Sequence, residues 1–227
     1  MKKPGRKTVK AVRAGRPARR RTGALETGSR ERLFAAAAAE FAARGFAGAN
    51  VDRIARAAHV NKAMIYYHFN SKAALYQEIL GEMFHAVGER IRAVAASDAT
   101  PQQKLMQFVA AIAEAAEARP HFPPIWFREI AEGGTHLEAG TIKIVGGIVQ
   151  RLALIVREGV DAGRFQPIEP LLLHGGIVAP LLLYYASGPL RKRMARFGIK
   201  GAVSYGSEEV IANVQRVALH TLEGRMR

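Results

Sequence analysis

Residues 50–69 read NVDRIARAAHVNKAMIYYHF, and the organisation of the whole chain can be worked out from this stretch. It opens with Asn50, a favourable N-cap, followed by apolar residues at the i, i+3, i+4 and i+7 spacing of one helical face. Those residues are Val51, Ile54, Ala55 and Ala58. The spacing predicts a short helix that starts after Asn50 and packs through this face.

A turn and a second helix follow. His59 lies at the turn, and histidine is one of the few non-glycine residues enriched in the left-handed backbone region. Asn61 can cap the second helix by accepting hydrogen bonds from its first amides, and Val60 and Ile65 can form a hydrophobic staple around that cap. Because Ile65 and Phe69 are spaced i, i+4, they predict the buried face of the second helix.

The opposite side of the second helix carries groups suited to nucleic acid. It offers phenols, an amine, an imidazole and a small residue, which can donate to phosphate oxygens or touch base edges. The residues on or beside this side are Lys62, Ala63, Met64, Tyr66, Tyr67 and His68. Two helices joined by a short turn, the second with such a face, form a helix-turn-helix. We therefore predict a DNA-binding unit here.

The run from Leu33 to Leu75 resembles the DNA-binding domain of the TetR family of bacterial transcriptional regulators. The matching positions are Phe41, Gly45-Phe46, Val51 to Ala55, Val60 to Phe69 and Ser71-Lys72. The resemblance implies that bases are read by Lys62, Ala63 and Met64. It implies phosphate contacts by Asn50, Tyr66, Tyr67, His68 and Lys72. The chain departs from the family at His59, where glycine is general, and at Asn50, where a hydroxyl residue is general.

Each of these residues also has an ordinary structural interpretation. Tyr66 and Tyr67 would pack between helices if the buried face were not already supplied by Ile65 and Phe69. Lys62 and Lys72 would be solvated lysines, were they not at the starts of two successive helices. His68 can equally cap or pack at the end of its helix, and this alternative stays open.

Composition and charge divide the chain. It has 227 residues, of which 49% are hydrophobic, enough to build a sizeable core. The formal net charge is +15, distributed as +9 in residues 1–28, +4 in residues 29–76 and +2 in residues 77–227. The absence of cysteine excludes disulfides and thiolate metal sites, and no apolar segment follows the basic N-terminus as in a signal peptide. We expect a cytoplasmic bacterial protein, associated with the nucleoid when bound to DNA.

We predict an all-α fold with three parts. Residues 1–28 form a disordered basic arm, which either adds sequence-independent DNA affinity or is only a solvated tail. Residues 29–76 form the three-helix DNA-binding domain, whose first helix begins at Ser29 and ends at Gly45. Residues 77–227 form a helical domain, in which residues 120–124 break a helix and residues 191–196 form a solvated loop; the resemblance implies that this domain binds an effector and forms the dimer.

Residues 170–190 contain no charged side chain. They form a poor membrane span, because they include His174, Pro180 and a Gly188-Pro189 stop, and they suit a helix at a protein interface. In the family the last two long helices of each subunit pack against their partners as a four-helix bundle. The resemblance therefore implies a homodimer whose interface includes Leu172, Ile177, Leu181, Tyr184, Val210, Val214 and Val217.

The body also offers candidates for an effector pocket. Aromatic side chains with two polar anchors suit a small, largely apolar molecule, although aromatics at helical spacing more often fill a core. The candidates are Phe84, Phe108, His121, Phe122, Trp126, Phe127 and Arg128.

Together these features predict a sequence-specific regulator of transcription, and the resemblance implies a repressor that a small-molecule effector releases from a palindromic operator. A nonspecific architectural protein that coats DNA or RNA through the basic arm is the main alternative, and the two-faced second helix argues against it. An enzyme is the third hypothesis, but the sequence contains no catalytic or phosphate-loop motif. We therefore expect no catalytic residues, no cofactor and no metal.

Overall fold

The first three helices of the computed structural model form the predicted DNA-binding unit. The structure describes residues 19–224, with side chains from residue 28 onward. Helix α1 spans Arg19–Gly48, α2 spans Val51–Ala57 and α3 spans Ala63–Phe69. Helix α1 begins at Arg19 rather than at Ser29, so the last part of the predicted disordered arm is helical here. The rest of that arm, residues 1–18, lies outside the described residues.

Two sharp turns in this unit have the backbone conformation that the sequence predicts. Gly45 interrupts α1 with a φ of 69°, at the position expected for a C-terminal glycine. His59 has a φ of 54° in the turn between α2 and α3. The histidine therefore adopts the left-handed conformation that glycine generally supplies in the family that this stretch resembles.

Seven helices make up the rest of the described chain, with one short 3₁₀ turn. They are α4 (Lys72–Ala95), α5 (Pro101–Ala118), α6 (Phe122–Ala131), α7 (Ala139–Asp161), α8 (Pro170–Ala186), α9 (Gly188–Arg196) and α10 (Ser207–Glu223), and the 3₁₀ turn is Lys200–Val203. Within residues 19–224 no β-strand occurs. The all-α prediction is confirmed.

Two local expectations about the body are wrong. Pro123 and Pro124 lie in the first turn of α6 rather than before it, because a proline in the first turn removes an amide that has no partner there in any case. Residues 191–196 belong to α9 rather than to a loop, and Pro189 lies in the first turn of that helix.

The described residues form two buried clusters that share helix α4. The first joins α1, α2 and α3 to the N-terminal half of α4 and to α6, with Phe41, Ile54 and Tyr76 among its buried side chains. The second joins the C-terminal half of α4 to α5, α7, α8 and α10, with Ile91 and Phe108 at its centre. The DNA-binding unit is therefore packed directly onto the body.

Judged by length and apolar composition alone, two segments of the described chain are candidates for a membrane span. Helix α7 is long and apolar enough to cross a bilayer, and α8 with α9 passes the same test only as a pair bent by 58°. In the sequence, only residues 170–190 were considered as a possible membrane span. Since helices in the core of soluble proteins also pass, one or two such helices are weak evidence for a span.

Candidate DNA interface and ligand cavity

Helix α3 has the two faces that the sequence predicts. Asn61 Oδ1 accepts a hydrogen bond from the Ala63 amide at 2.8 Å, which fixes the start of the helix. Ile65 and Phe69 are 0% and 3% exposed, whereas Tyr66 and Tyr67 are 48% and 66% exposed. The phenols therefore face solvent because the apolar positions of the helix are already used against α1 and α4.

Lys62 lies immediately before α3 and pairs with an acidic residue on α2. Its Nζ lies 3.0 Å from Asp52 Oδ1, and both side chains are about half exposed. Ala63 beside it is exposed, and Met64 is partly buried. The three residues predicted to read bases thus share one end of α3, and Asp52 competes there for the lysine charge.

Lys72 and His68 are already bonded within the protein. Lys72 Nζ donates to the Phe46 carbonyl at 2.9 Å and the Ala49 carbonyl at 3.3 Å, and it lies 4.5 Å from the centre of the Phe46 ring. His68 Nε2 is hydrogen-bonded to Ser29 Oγ at 2.8 Å. One ring nitrogen of His68 is therefore used in packing within the protein. Lys72 has one of its three N–H donors left for a phosphate.

Asn50 does cap α2, as predicted. Its Oδ1 accepts from the Asp52 amide at 2.7 Å and from the Arg53 amide at 3.4 Å. The backbone N–H of Asn50 donates to Glu40 Oε1, which also accepts a hydrogen bond from Arg53 Nε at 2.7 Å. Burial opposes ionisation of Glu40, but the bonds from Arg53 and Asn50, with the charges of Arg53 and Arg44, hold its pKa below the usual value. This network fixes α2 against α1.

A small apolar cavity lies in the body, bounded by α4, α5, α6, α7 and α8. Its volume is about 40 Å³, close to the share of one water molecule in the liquid, which is about 30 Å³. Phe84, Phe122 and Trp126 line it, as predicted, with ring centroids of Phe84 and Trp126 4.9 Å apart. Burial lowers the pKa of His174, which also lines the cavity. His174 was missed because it lies on a helix assigned wholly to the interface.

The other four predicted pocket residues lie elsewhere. Phe108 is fully buried in the second cluster, and Phe127 packs against the first. His121 precedes α6 outside the cavity lining. Arg128 points to the DNA-binding unit, where its guanidinium donates to the Ala42 carbonyl at 3.4 Å and the Ala43 carbonyl at 3.1 Å. Helix α6 therefore touches both the cavity and the end of α1.

The predicted dimer surface needs correction. Ile177, Leu181 and Val214 are buried within the subunit, so they do not supply exposed interface. Leu172 and Val217 are 72% and 51% exposed, while Tyr184 and Val210 are partly buried. The exposed apolar residues of α8 also include Leu171 and Leu183.

An open groove of about 420 Å³ lies on the same side, between α8, α9 and α10. Arg191 crosses it with its guanidinium carbon 3.8 Å from the centre of the Tyr184 ring. The groove is much larger than the cavity beside Trp126, but Leu183, Tyr184 and Val210 in its lining belong to the surface predicted to pair with a second subunit. We therefore take the cavity beside Trp126 as the ligand candidate.

Comparison with known sequences identifies the N-terminal unit. Residues 33–79 match the model for bacterial regulatory proteins of the tetR family. The chain is 26% identical over 159 residues to the transcriptional repressor NicS of Pseudomonas putida, covering 69% of this chain and 74% of NicS. It is 22% identical over 193 residues to the transcriptional regulator RutR of Escherichia coli K12, covering 85% and 90%. With the repressor SCO4008 of Streptomyces coelicolor it shares 46% identity over 52 residues, 27% of that protein.

Comparison with solved structures identifies the fold of most of the chain. A tetR-family regulatory protein from Rhodococcus RHA1 superposes with a TM-score of 0.70 at 20% identity, covering 86% of this chain and 96% of that one. FadR, a fatty acid degradation regulator from Bacillus halodurans, gives 0.66 at 20% identity, covering 84% and 94%. A linker mutant of HlyIIR gives 0.64 at 22% identity, covering 87% and 98%. The likeness therefore extends beyond the DNA-binding unit through the helical body.

Proposed function

Since the chain belongs to the TetR family of bacterial transcriptional regulators, we propose that it is a homodimeric repressor, released from a palindromic operator by a small, largely apolar effector. That the chain is a DNA-binding regulator follows from the family and from its relatives, which are named as transcriptional repressors and regulators. The operator symmetry, the repression and the effector are the proposal.

The observation that carries the proposal is the exposed face of α3. Tyr66 and Tyr67 project from the helix opposite two buried residues, and Lys62 stands at its N-terminal end. About half or more of each tyrosine remains exposed in the described structure, and the groups of this face suit phosphates and base edges in the major groove. An architectural protein acting through its arm has no need of it.

The exposed leucines of α8 favour a dimer. A run of uncharged residues with Leu172 72% exposed and Leu171 62% exposed is costly in water, and a second copy of the same surface would cover it. A twofold axis through this surface would present two copies of α3 about 34–36 Å apart, or somewhat more, so that each reads one half of a palindrome.

Helix α6 suggests how an effector would act on DNA binding. Trp126 lines the cavity, and two residues later Arg128 holds the carbonyl groups at the end of α1. The cavity must widen from about 40 Å³ to admit a ligand, since pockets for small molecules measure about 300–1,000 Å³. Widening that moves α6 would move α1 and α3, and by linkage the effector would then lower DNA affinity.

Selection of random and genomic DNA fragments by the purified protein at physiological salt tests the first half of the proposal. We expect enrichment of one inverted repeat, lost when Tyr66 and Tyr67 are both replaced by alanine. Lys143→Ala, which removes an exposed lysine from α7, should leave the enriched sequence unchanged. Uniform recovery with steep salt dependence would contradict the proposal and support the architectural alternative.

Trp126 offers a direct test of the second half. It is the single tryptophan of the chain and lines the cavity, so a ligand entering there should change its fluorescence. We expect apolar compounds that change the emission to release the selected DNA, with matched concentration dependence. If compounds release DNA without changing the fluorescence of Trp126, the effector binds in another part of the molecule.

A further inference from the structure

A buried carboxylate lies where α6 meets the DNA-binding unit. The Glu129 side chain is 1% exposed, and its Oε1 accepts a hydrogen bond from Tyr76 Oη at 2.6 Å. Its Oε2 is buried and has no hydrogen-bond partner among the described residues. Burial and the adjacent Glu129 raise the pKa of Tyr76, so the phenol stays protonated and donates. One oxygen of a buried carboxyl group is thus left without a partner in the described part of the chain, which is costly.

Two further ligand-type side chains converge on this carboxylate. His136 Nδ1 lies 3.0 Å from Glu129 Oε1 and 3.5 Å from Glu132 Oε2. The ligand atoms of the three residues all lie within 4.8 Å of one another. The neighbouring Arg128 donates its hydrogen bonds to α1 carbonyls rather than to these carboxylates.

The loop after α6 turns back on itself and brings His136 next to Glu129. Gly133 and Gly134 have φ values of 72° and 69°, a conformation that favours glycine, and the Gly134 amide donates to the Glu129 carbonyl at 2.6 Å. The imidazole then packs against Phe46, with ring centroids 4.5 Å apart, and stands edge-on to Tyr76 at 5.8 Å. Aromatic packing therefore fixes the orientation of the ring.

We propose that Glu129, Glu132 and His136 bind a divalent first-row transition-metal ion such as Zn²⁺ at the junction between the body and the DNA-binding unit. Two carboxylates and an imidazole form a donor set that such ions accept. Ligand atoms 3.0 and 3.5 Å apart subtend angles of about 90° to 110° at an ion with bonds of about 2.1 Å. Glu132 is 41% exposed, so an ion can enter from its side and the carboxylate can adjust to it.

The site would connect to the proposed regulation. Glu132 lies beside Gly45 at the break in α1, and His136 touches Phe46, so an ion held there would brace the end of α1. This connection rests on the proposed function, whereas the metal site itself does not. If occupancy changes DNA affinity by some factor, DNA must change metal affinity by the same factor.

Calorimetric titration of tag-free, chelator-treated protein with Zn²⁺, without DNA, tests the site. We expect one ion per subunit, and at least a tenfold loss of affinity in Glu132→Gln and in His136→Gln. Both side chains are partly exposed, and circular dichroism checks that the variants fold. Glu138→Gln, an exposed change just after the loop, is the matched control and should bind normally.

Cobalt provides a second readout, because Co²⁺ in this site should show visible absorption of a low-coordinate complex that Zn²⁺ removes and Mg²⁺ does not. Absence of binding to the unaltered protein, undiminished binding to His136→Gln, or displacement by Mg²⁺ would each overturn the proposal. Since no DNA is present in these titrations, their failure would leave the proposed repressor function untouched.

Discussion

Replacing Asp52 with asparagine should tighten DNA binding. In the structure Asp52 holds Lys62 through an ion pair at 3.0 Å, and both groups are about half exposed. DNA has to break this pair before Lys62 can reach a base or phosphate, and the Asp52 carboxylate itself repels the backbone. Asparagine removes both obstacles while keeping the shape of the side chain.

The size of the effect follows from the exposure of the pair. An exposed ion pair contributes about 0.2–1 kcal/mol, and a dimer contains two copies, so release of both is worth about 0.4–2 kcal/mol. This corresponds to a gain of about twofold to thirtyfold in affinity. The gain should shrink as salt rises, because exposed charges are screened over about 10 Å at 0.1 M salt.

Fluorescence anisotropy with the selected operator measures the change. Asp98→Asn is the matched control, since it removes the same charge from the loop beyond the far end of α4, a helix of 24 residues and hence about 36 Å long. Lys62→Ala should weaken binding, and Asp52→Asn should give a smaller benefit once Lys62 is gone, because only the repulsion between the carboxylate and the DNA backbone is then relieved. Weaker binding by a normally folded Asp52→Asn protein would refute the idea that Asp52 restrains Lys62.

Three other perturbations test different parts of the molecule. Because the folded-state pKa of Glu40 is lowered, its ionised form stabilises the fold at neutral pH, and this contribution disappears as pH falls through the folded-state pKa; in urea unfolding, Glu40→Gln should therefore cost about 1 kcal/mol at pH 7, since the Arg53 partner is partly exposed, and progressively less as the pH is lowered. Gly159→Ala should destabilise the body by about 1–3 kcal/mol, because the added methyl would overlap the Phe165 ring, whereas Gly146→Ala on the same helix has open space around it and should be neutral or stabilising in thermal melts. Deleting residues 1–18 should weaken binding to all DNA and lower its salt dependence without changing the preferred sequence; a changed preference would show that the arm reads bases.

The DNA-binding unit was predictable because each of its helices has one apolar side. In α3 the spacing of Ile65 and Phe69 identifies the core, and the exposed tyrosines follow from it. The conformation at His59 was predictable too, since the chain has to reverse within a few residues there. Where polar and apolar positions alternate at helical spacing, sequence alone determines which side chains face out.

The interface helix shows where this reasoning stops. Helix α8 is apolar on every side, so its periodicity does not separate the side packed in its own subunit from the side exposed to a partner. Ile177 and Leu181 were therefore assigned to the interface although they are buried in the subunit, and His174 was not recognised as a cavity residue. Contacts across the fold decide these cases, and a single sequence does not contain them.

The cluster of Glu129, Glu132 and His136 was missed for a related reason. Glu129 and His136 are seven residues apart, and only the paired left-handed glycines bring them together. In the sequence these glycines indicate the end of α6 and give no direction for the chain beyond it. Arg128 was likewise assigned to the pocket, because the sequence predicts its helix but not that its side chain points toward α1.

Helix α4 restricts how this regulator can be re-engineered. Its Tyr76 and Phe84 belong to the cluster under the DNA-binding unit, and its Ile91 belongs to the core of the body. A chimera spliced at residue 76, to give the body a new DNA specificity, would place foreign side chains against Glu129 and α6. A working graft has to transplant the first half of α4 together with the surface of α6 that it covers, so the interchangeable module is larger than the helix-turn-helix.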